Sequence, residues 1–453
     1  MERRLYVLAA SAFIVAAVLG SAWITGQFTT PDVDRTDGYV TELAARDQPW
    51  THLFRVTDAV SGLACLAGVA LVPRVAREWP GWAALAAYGV LTVAAALFPL
   101  DCATLSDPAC GHRGLSLGHY AHLVAGALAA GAALGSMALL AAGWRARSAW
   151  LLAWTALGAT ALTAAGLAAG RGSGLAHRAQ LTLVAIWLVY VAMRLLLTDR
   201  RPAGYGTPHV TEEGAGPAVL ITTGPGGASF QWDEVARELA AGHRVIRFDR
   251  PGLGLSPRSP APPTLYAEVA RLAALAPAHP ERVTVVAHGV SCWHAEAFAR
   301  LHPLCVARLV LVEPACPDGR TPPGAFAAVG RWLPALGGTW GAAALAHLAG
   351  PSAHRRLIGG PDPLGVYRTG KVPAAVVGEW LARRGMTADL RRLRAAKPFP
   401  DVPVTVIGAG ERAGCAERVA AELRGTLVRL PRAGRQVQLD DPAAIVKAVS
   451  DEP

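Results

Sequence analysis

The feature that most constrains this chain is a series of six apolar stretches within its first 200 residues. They fall at Leu5 to about Gly26 and at roughly 56–73, 81–100, 119–142, 149–169 and 179–197. Each is near the ~20 residues that a helix needs to cross the hydrocarbon core of a bilayer. The first follows Arg3 and Arg4 as a signal peptide would, but it is long and no small-residue cleavage pattern closes it, so it reads as a span. Ala and Gly dominate LVAGALAAGAALGSMALLAAG, a composition that lets helix backbones approach closely in lipid. The expected architecture of residues 1–198 is therefore an all-α bundle of six transmembrane helices. With 52% hydrophobic and 17% charged residues overall, an ordinary soluble chain is excluded.

Positive residues flanking spans stay on the cytoplasmic side. Arg3 and Arg4, Arg74 and Arg77, Arg145 and Arg147, and Arg200 and Arg201 crowd short turns on one side, whereas Arg35, Arg46, Arg55, Arg113, Arg171 and Arg178 are spread over longer loops on the other. The bias predicts both termini inside the inner membrane of a bacterium. The net charge of +10 comes almost wholly from Arg. Membrane lipids are the partner it implies, and nothing in the chain resembles a nucleic-acid module.

The loop PLDCATLSDPACGHRG would lie outside, where Cys102 and Cys110 are candidates for a disulfide; two free thiols are the alternative. The other five cysteines have no metal-ligand spacing. Polar residues gather at the outer span ends: Glu42, His52, Asp58, Asp101, His119, His122 and His177. His119 and His122 are three apart and would share a helix face, so they are weak metal candidates beside the simpler reading of interfacial side chains in water. No cofactor is implied. The six spans with the DCA…DPAC loop and the following HYAH resemble an uncharacterised family of six-span bacterial membrane proteins, a domain of unknown function, over about residues 5–198.

Residues 199–217 are rich in Gly, Pro and charge and read as a linker or the remnant of an edge strand. Beyond them, continuously apolar runs beginning at 218, 244, 282, 307, 402 and 426 alternate with amphipathic helical segments. Such alternation predicts a doubly wound, mostly parallel α/β sheet over 218–453, interrupted at about 319–398 where a helical cap would be inserted.

Four segments in order resemble the α/β-hydrolase fold family. TTGPGG at 222–227 stands at the oxyanion loop, DRPGLGLS at 249–256 matches a D-x-x-G-x-G-x-S turn, AHGVS at 287–291 stands at the nucleophile elbow G-x-S-x-G, and GRQVQLDDP at 434–442 resembles G-H-x-x-x-x-[DE]-x-P. The resemblance implies a serine nucleophile at Gly289, a histidine base at Arg435, an acid at Glu411, and an oxyanion loop of Thr223, Gly224, Pro225 and Gly226 that works with the Val290 N–H. The sequence departs from it at three of these points. Gly289 has no side chain, a guanidinium stays protonated near neutrality, and proline has no N–H to donate. The expectation is a degenerate hydrolase that binds, scaffolds or regulates, with a pocket suited to a small anionic or acyl ligand. Two alternatives stand beside it: an ester or lipid hydrolase with a displaced nucleophile, Ser291 or Cys292, and an activity or lipid or ion site in the outer His and Asp cluster.

Overall fold

The computed structural model describes residues 1–112, 114–197, 206–317, 323–410 and 414–451. The chain forms two compact units, residues 2–201 and 202–453.

The first unit is helical. Its helices are α1 (Glu2–Leu19), α2 (Trp23–Thr29), α3 (Thr51–Leu71), α4 (Trp79–Leu97), α5 (Leu117–Trp144), α6 (Arg147–Ala169) and α7 (Ser173–Leu197). With α1 and α2 taken together, six helical segments among the described residues are long and apolar enough to cross a membrane. Ala125, Ala129 and Ala133, four apart on α5, form one buried stripe, as close helix packing requires. Ser116 caps α5 by accepting the His119 N–H, which satisfies one of the orphan donors of its first turn. A short 3-10 segment, Val40–Ala44, lies between α2 and α3. Cys102 and Cys110 form a disulfide, with Cα atoms 5.9 Å apart.

The second unit is built on one seven-stranded sheet. Its strands are β1 (Val210–Glu213), β2 (Ala218–Thr222), β3 (Arg244–Phe248), β4 (Val283–His288), β5 (Val306–Val312), β6 (Val404–Ala409) and β7 (Thr426–Leu430), in the spatial order β1-β3-β2-β4-β5-β6-β7. Only β1 runs antiparallel, paired to β3 with Val210 opposite Phe248. Of the two readings of residues 199–217, linker or edge strand, Val210–Glu213 forms an edge strand of the sheet. Its Glu-rich sequence, VTEE, suits a half-solvated edge.

The central strands are apolar on both faces because helices cover both. On one side α8 (Asp233–Leu239) and α17 (Pro442–Ser450) bury Trp232, Val235, Ile445 and Val449 against Val219, Val286 and Val310. On the other, α9 (Leu265–Leu275), α10 (Ser291–Leu301) and α15 (Gly414–Leu423) bury Leu272, Phe298 and Val419 against Leu220, Val285 and Leu311. Each such large side chain contributes about 1.5–3 kcal/mol. The cap between β5 and β6 comprises α11 (Ala327–Gly330), α12 (Leu333–Leu336), α13 (Trp340–Leu357) and α14 (Lys371–Ala396). The C-terminal half of α14 joins the main core through Met386, Leu390 and Leu393, which anchors the cap to the sheet. The remaining helix, α16 (Val437–Asp440), is one turn long.

Candidate functional site: a cavity at the carboxyl ends of the strands

In an open parallel sheet, loops at the carboxyl ends of the strands converge, and ligands bind there. A cavity of about 420 Å³ lies at this edge, and Pro225, Gly289 and Arg435 all line it. They arrive from the loop after β2, the turn between β4 and α10, and the segment before α16.

The turn after β4 keeps the geometry of a nucleophile elbow. Gly289 has φ +62, in the left-handed region that ordinary side chains avoid, and its N–H donates to the Val312 carbonyl at 2.9 Å. A Cβ at position 289 would lie 2.8 Å from Pro225 Cδ, closer than real Cβ atoms come. The proline ring thus occupies the space a nucleophile side chain would need. The two departures seen in sequence are one steric unit.

The loop carrying Pro225 is fixed from below by Arg250, a guanidinium only 1% exposed. Its Nη1 donates to the Thr223 carbonyl at 2.8 Å and to Ser291 Oγ, and its Nη2 donates to the Gly224 carbonyl at 2.8 Å. Nη2 also pairs with Glu379 of α14 at 2.8 Å, which ties the loop to the cap. Burial raises the Glu379 pKa, while Arg250 and the Gly226 N–H pull it back. The Gly226 N–H is therefore directed to a carboxylate. Gly224 is needed for another reason: a Cβ there would fall 2.2 Å from His288 Nδ1.

His288, the last residue of β4, is buried and also lines the cavity, with Nε2 2.9 Å from the Arg435 carbonyl. That acceptor places the ring proton on Nε2. Burial holds its pKa down to about 4, with the Arg250 charge acting in the same direction and the Arg435 carbonyl opposing. It is a neutral structural imidazole.

Arg435 is exposed, and among the described residues its guanidinium has no hydrogen-bond or ion-pair partner. Arg383 of α14 joins it on the cavity wall, 6.0 Å over the Trp293 ring. Glu313 lies on the same wall at the end of β5, with φ +46, and its Oε1 accepts the Ala409 N–H. Sequence reasoning missed it; the signal was an acidic residue followed by proline at a strand's carboxyl end, in LVEP. The expected acid, Glu411, lies outside the described residues.

Other site candidates lie off the cavity. Thr223, Gly224, Gly226 and Val290 do not line it, although they flank it in the chain. Ser291 is fully buried, donates to the Thr223 carbonyl at 2.7 Å and accepts from Arg250. Cys292 is buried too, its Sγ donating to the Ala287 carbonyl at 3.2 Å, and burial pushes its thiol pKa well up. A disulfide between Cys316 and Cys415, 99 residues apart, borders the cavity; the sequence singled out no such pair. Asp249 of the DRPGLGLS turn is structural, its carboxylate accepting the Ser229 and Leu255 N–H groups at 2.7 and 2.9 Å.

In the helical unit His119 Nδ1 accepts the Asp101 N–H at 3.2 Å and His122 Nδ1 faces the Ala95 and Phe98 carbonyls. The pair therefore engages the backbone from separate positions. Among the described residues no group of three His, Cys, Asp or Glu side chains is placed to hold a metal ion.

Comparison with known proteins agrees with this division. Residues 10–194 match a family described as a protein of unknown function, DUF998. No curated protein matches the chain. Among solved structures, Cfl2 from Burkholderia cenocepacia is 22% identical, covering 53% of this chain and 90% of its own, with a TM-score of 0.41. An alpha/beta hydrolase fold protein from Burkholderia ambifaria is 26% identical over 54% of this chain and 93% of its own, at 0.43. The enol-lactonase from Burkholderia xenovorans LB400 is 20% identical over 53% and 94%, at 0.40. The alpha/beta hydrolase family matches residues 218–448, more than half of the 453, and the chain belongs to that family, with a DUF998 domain preceding the hydrolase fold in the same polypeptide.

Proposed function

We propose that the C-terminal unit is a membrane-tethered pseudohydrolase, a hydrolase scaffold without serine-based acyl transfer that holds a small anionic ligand in the former active-site cavity. The observation that carries this reading is Pro225 Cδ standing 2.8 Å from where a Cβ at Gly289 would sit, in a cavity whose base position is an arginine. Acyl transfer by a serine hydrolase needs a nucleophile, a base that accepts its proton and N–H donors aimed at the oxyanion. Gly289 supplies no nucleophile, Arg435 stays protonated, Pro225 has no N–H, and the Gly226 N–H serves Glu379. In subtilisin, removing the Ser or the His alone lowers kcat by ~2 × 10⁶, so a double loss leaves little serine catalysis.

A displaced nucleophile is disfavoured by the same geometry. Ser291 donates its proton to a carbonyl and receives the Arg250 guanidinium, and neither of these partners is a base. Cys292 is a buried thiol with a raised pKa, the opposite of an activated thiolate.

Anion binding rests on Arg435, without a partner among the described residues, and on Arg383 across the same wall. A guanidinium offers paired donors to a carboxylate or phosphate. The volume of about 420 Å³ falls in the range of ~300–1,000 Å³ common for small-molecule sites. Titration calorimetry of the full-length protein with octanoate tests it. Saturable binding that weakens at least ~30-fold in Arg435→Ala is expected, as when one partner of a charge pair is removed; absence of binding, or affinity unchanged in that variant, contradicts it.

The reading places the protein in the inner membrane of a bacterium, N-in and C-in, with lipids as neighbours. Its support is the crowding of Arg3, Arg4, Arg74, Arg77, Arg145 and Arg147 on one side of the six spans.

A further inference from the structure

The six-helix unit encloses a second cavity, of about 140 Å³, near the span ends that face the 30–50 and 98–116 loops. Asp58 lies seven residues into α3 and His122 five residues into α5, so both sit roughly 7–11 Å inside their spans. Both line the cavity, which the 3-10 segment Val40–Ala44 borders on the loop side.

Among the described residues, two acceptors in this wall have nothing to accept from. Among the described residues the Asp58 carboxylate has no hydrogen-bond or ion-pair partner. His122, 4% exposed, holds Nδ1 at 2.9 and 3.0 Å from the Ala95 and Phe98 carbonyls. Two carbonyl acceptors fix the ring proton on Nδ1, so Nε2 presents a lone pair, and it has no partner. His177, also in the wall, is engaged through Nδ1 by the Val40 N–H.

An unpartnered carboxylate inside a span is costly, and such residues face sites where something compensates the charge. The matching group is a cation that also donates hydrogen bonds. Trp23, Phe54 and Tyr88 add aromatic rings to the wall, which favour a cation further, while Ala, Gly, Val and Leu make up most of the remainder beside the uncharged Thr41, Ser61, Thr92 and Gln180. The volume is near the ~150 Å³ of a cavity that holds one benzene ring.

We propose that this cavity binds a lipophilic amine: an ammonium group donating to the Asp58 carboxylate and to His122 Nε2, on an apolar body the size of a single ring. The site is independent of the C-terminal cavity.

The test is ¹⁹F NMR on full-length protein in phospholipid nanodiscs, with 4-fluorobenzylamine as probe and 4-fluorotoluene as its neutral shape match. The amine should bind saturably and at least ~30-fold more tightly than the toluene, and Asp58→Asn should bring it down to the toluene's level. Gly126 lines the cavity, and a Cβ there meets nothing within 4 Å, so Gly126→Leu fills the space without a clash at its root and should abolish the amine site. If Asp58→Asn does not fold, the amine and toluene comparison on the unmodified and Gly126→Leu proteins decides. Equal affinity for the two probes, no saturable amine binding, or amine affinity unchanged in Gly126→Leu overturns the proposal.

Discussion

Gly289 and Pro225 show how two residues 64 positions apart act as one feature, since the ring of the second occupies the space a side chain on the first would enter. Restoring the serine alone therefore meets both a left-handed backbone and a clash. Gly289→Ser should destabilise the C-terminal unit by about 1–3 kcal/mol and give no esterase activity. Adding Pro225→Gly should recover part of that loss, a coupling that a double-mutant cycle on melting temperatures reads directly; additive effects would contradict the contact. Arg250 makes a second residue-scale prediction. Arg250→Met leaves Glu379 buried without its cationic partner and takes one donor from each of two loop carbonyls, and should cost about 3–5 kcal/mol, whereas Arg250→Met with Glu379→Leu should be milder. A thermal melt of the three variants checks the order. Gly289, Pro225 and Arg435 were legible in sequence because each falls in a local motif of fixed spacing. Arg250 was not, because within DRPGLGLS it stands at an unconstrained position, and its clamp depends on contacts with residues 26 to 129 positions away. Glu313 was missed because the end of any strand supplies a candidate acid until the strands are set side by side.

At the scale of elements, β4 and α10 are deeply buried: all of α10 except Leu301 and all of β4 except Thr284 are buried. His288 ends β4 and His294 sits on α10, and burial lowers the pKa of both, His288 to about 4. The sign follows from proton counting. Between pH 6.5 and 4 the unfolded chain holds protons on these imidazoles that the folded one does not, so the stability present above 6.5 is lost as pH falls towards 4. His288 alone accounts for about 3 kcal/mol of that loss. A denaturation series from pH 7 to 4.5 should show it, with His288→Gln shallower than the parent; a flat profile would contradict neutral burial. The strands were readable because central parallel strands are continuously apolar, as AVLIT and VTVVAH are. The edge strand β1 could not be told from a linker in its Gly- and Pro-rich segment, because an edge needs only one partner and half a buried face.

On the scale of the whole molecule, the proposed N-in, C-in orientation with six spans would put the loop of Cys102 and Cys110 outside and Cys316 and Cys415 of the C-terminal unit inside. Only one of the two pairs can face an oxidising compartment. In that orientation Cys102 and Cys110 face it, whereas a reducing cytoplasm would open the Cys316–Cys415 disulfide, so a thiol-reactive maleimide applied to unreduced, freshly lysed cells should label Cys316 and Cys415 and leave the loop pair unlabelled until reductant is added. The reverse pattern would invert the topology. A pairing across 99 residues has no local signature, which is why the second disulfide was invisible in sequence, whereas the eight-residue spacing of the first suggested itself. The polar residues at the outer span ends were visible too, but which of them share a cavity depends on helix packing. The central claim, a hydrolase scaffold without its chemistry, is tested most directly by fluorophosphonate labelling of the purified full-length protein. No covalent adduct is predicted; robust labelling that disappears in Ser291→Ala would contradict the account.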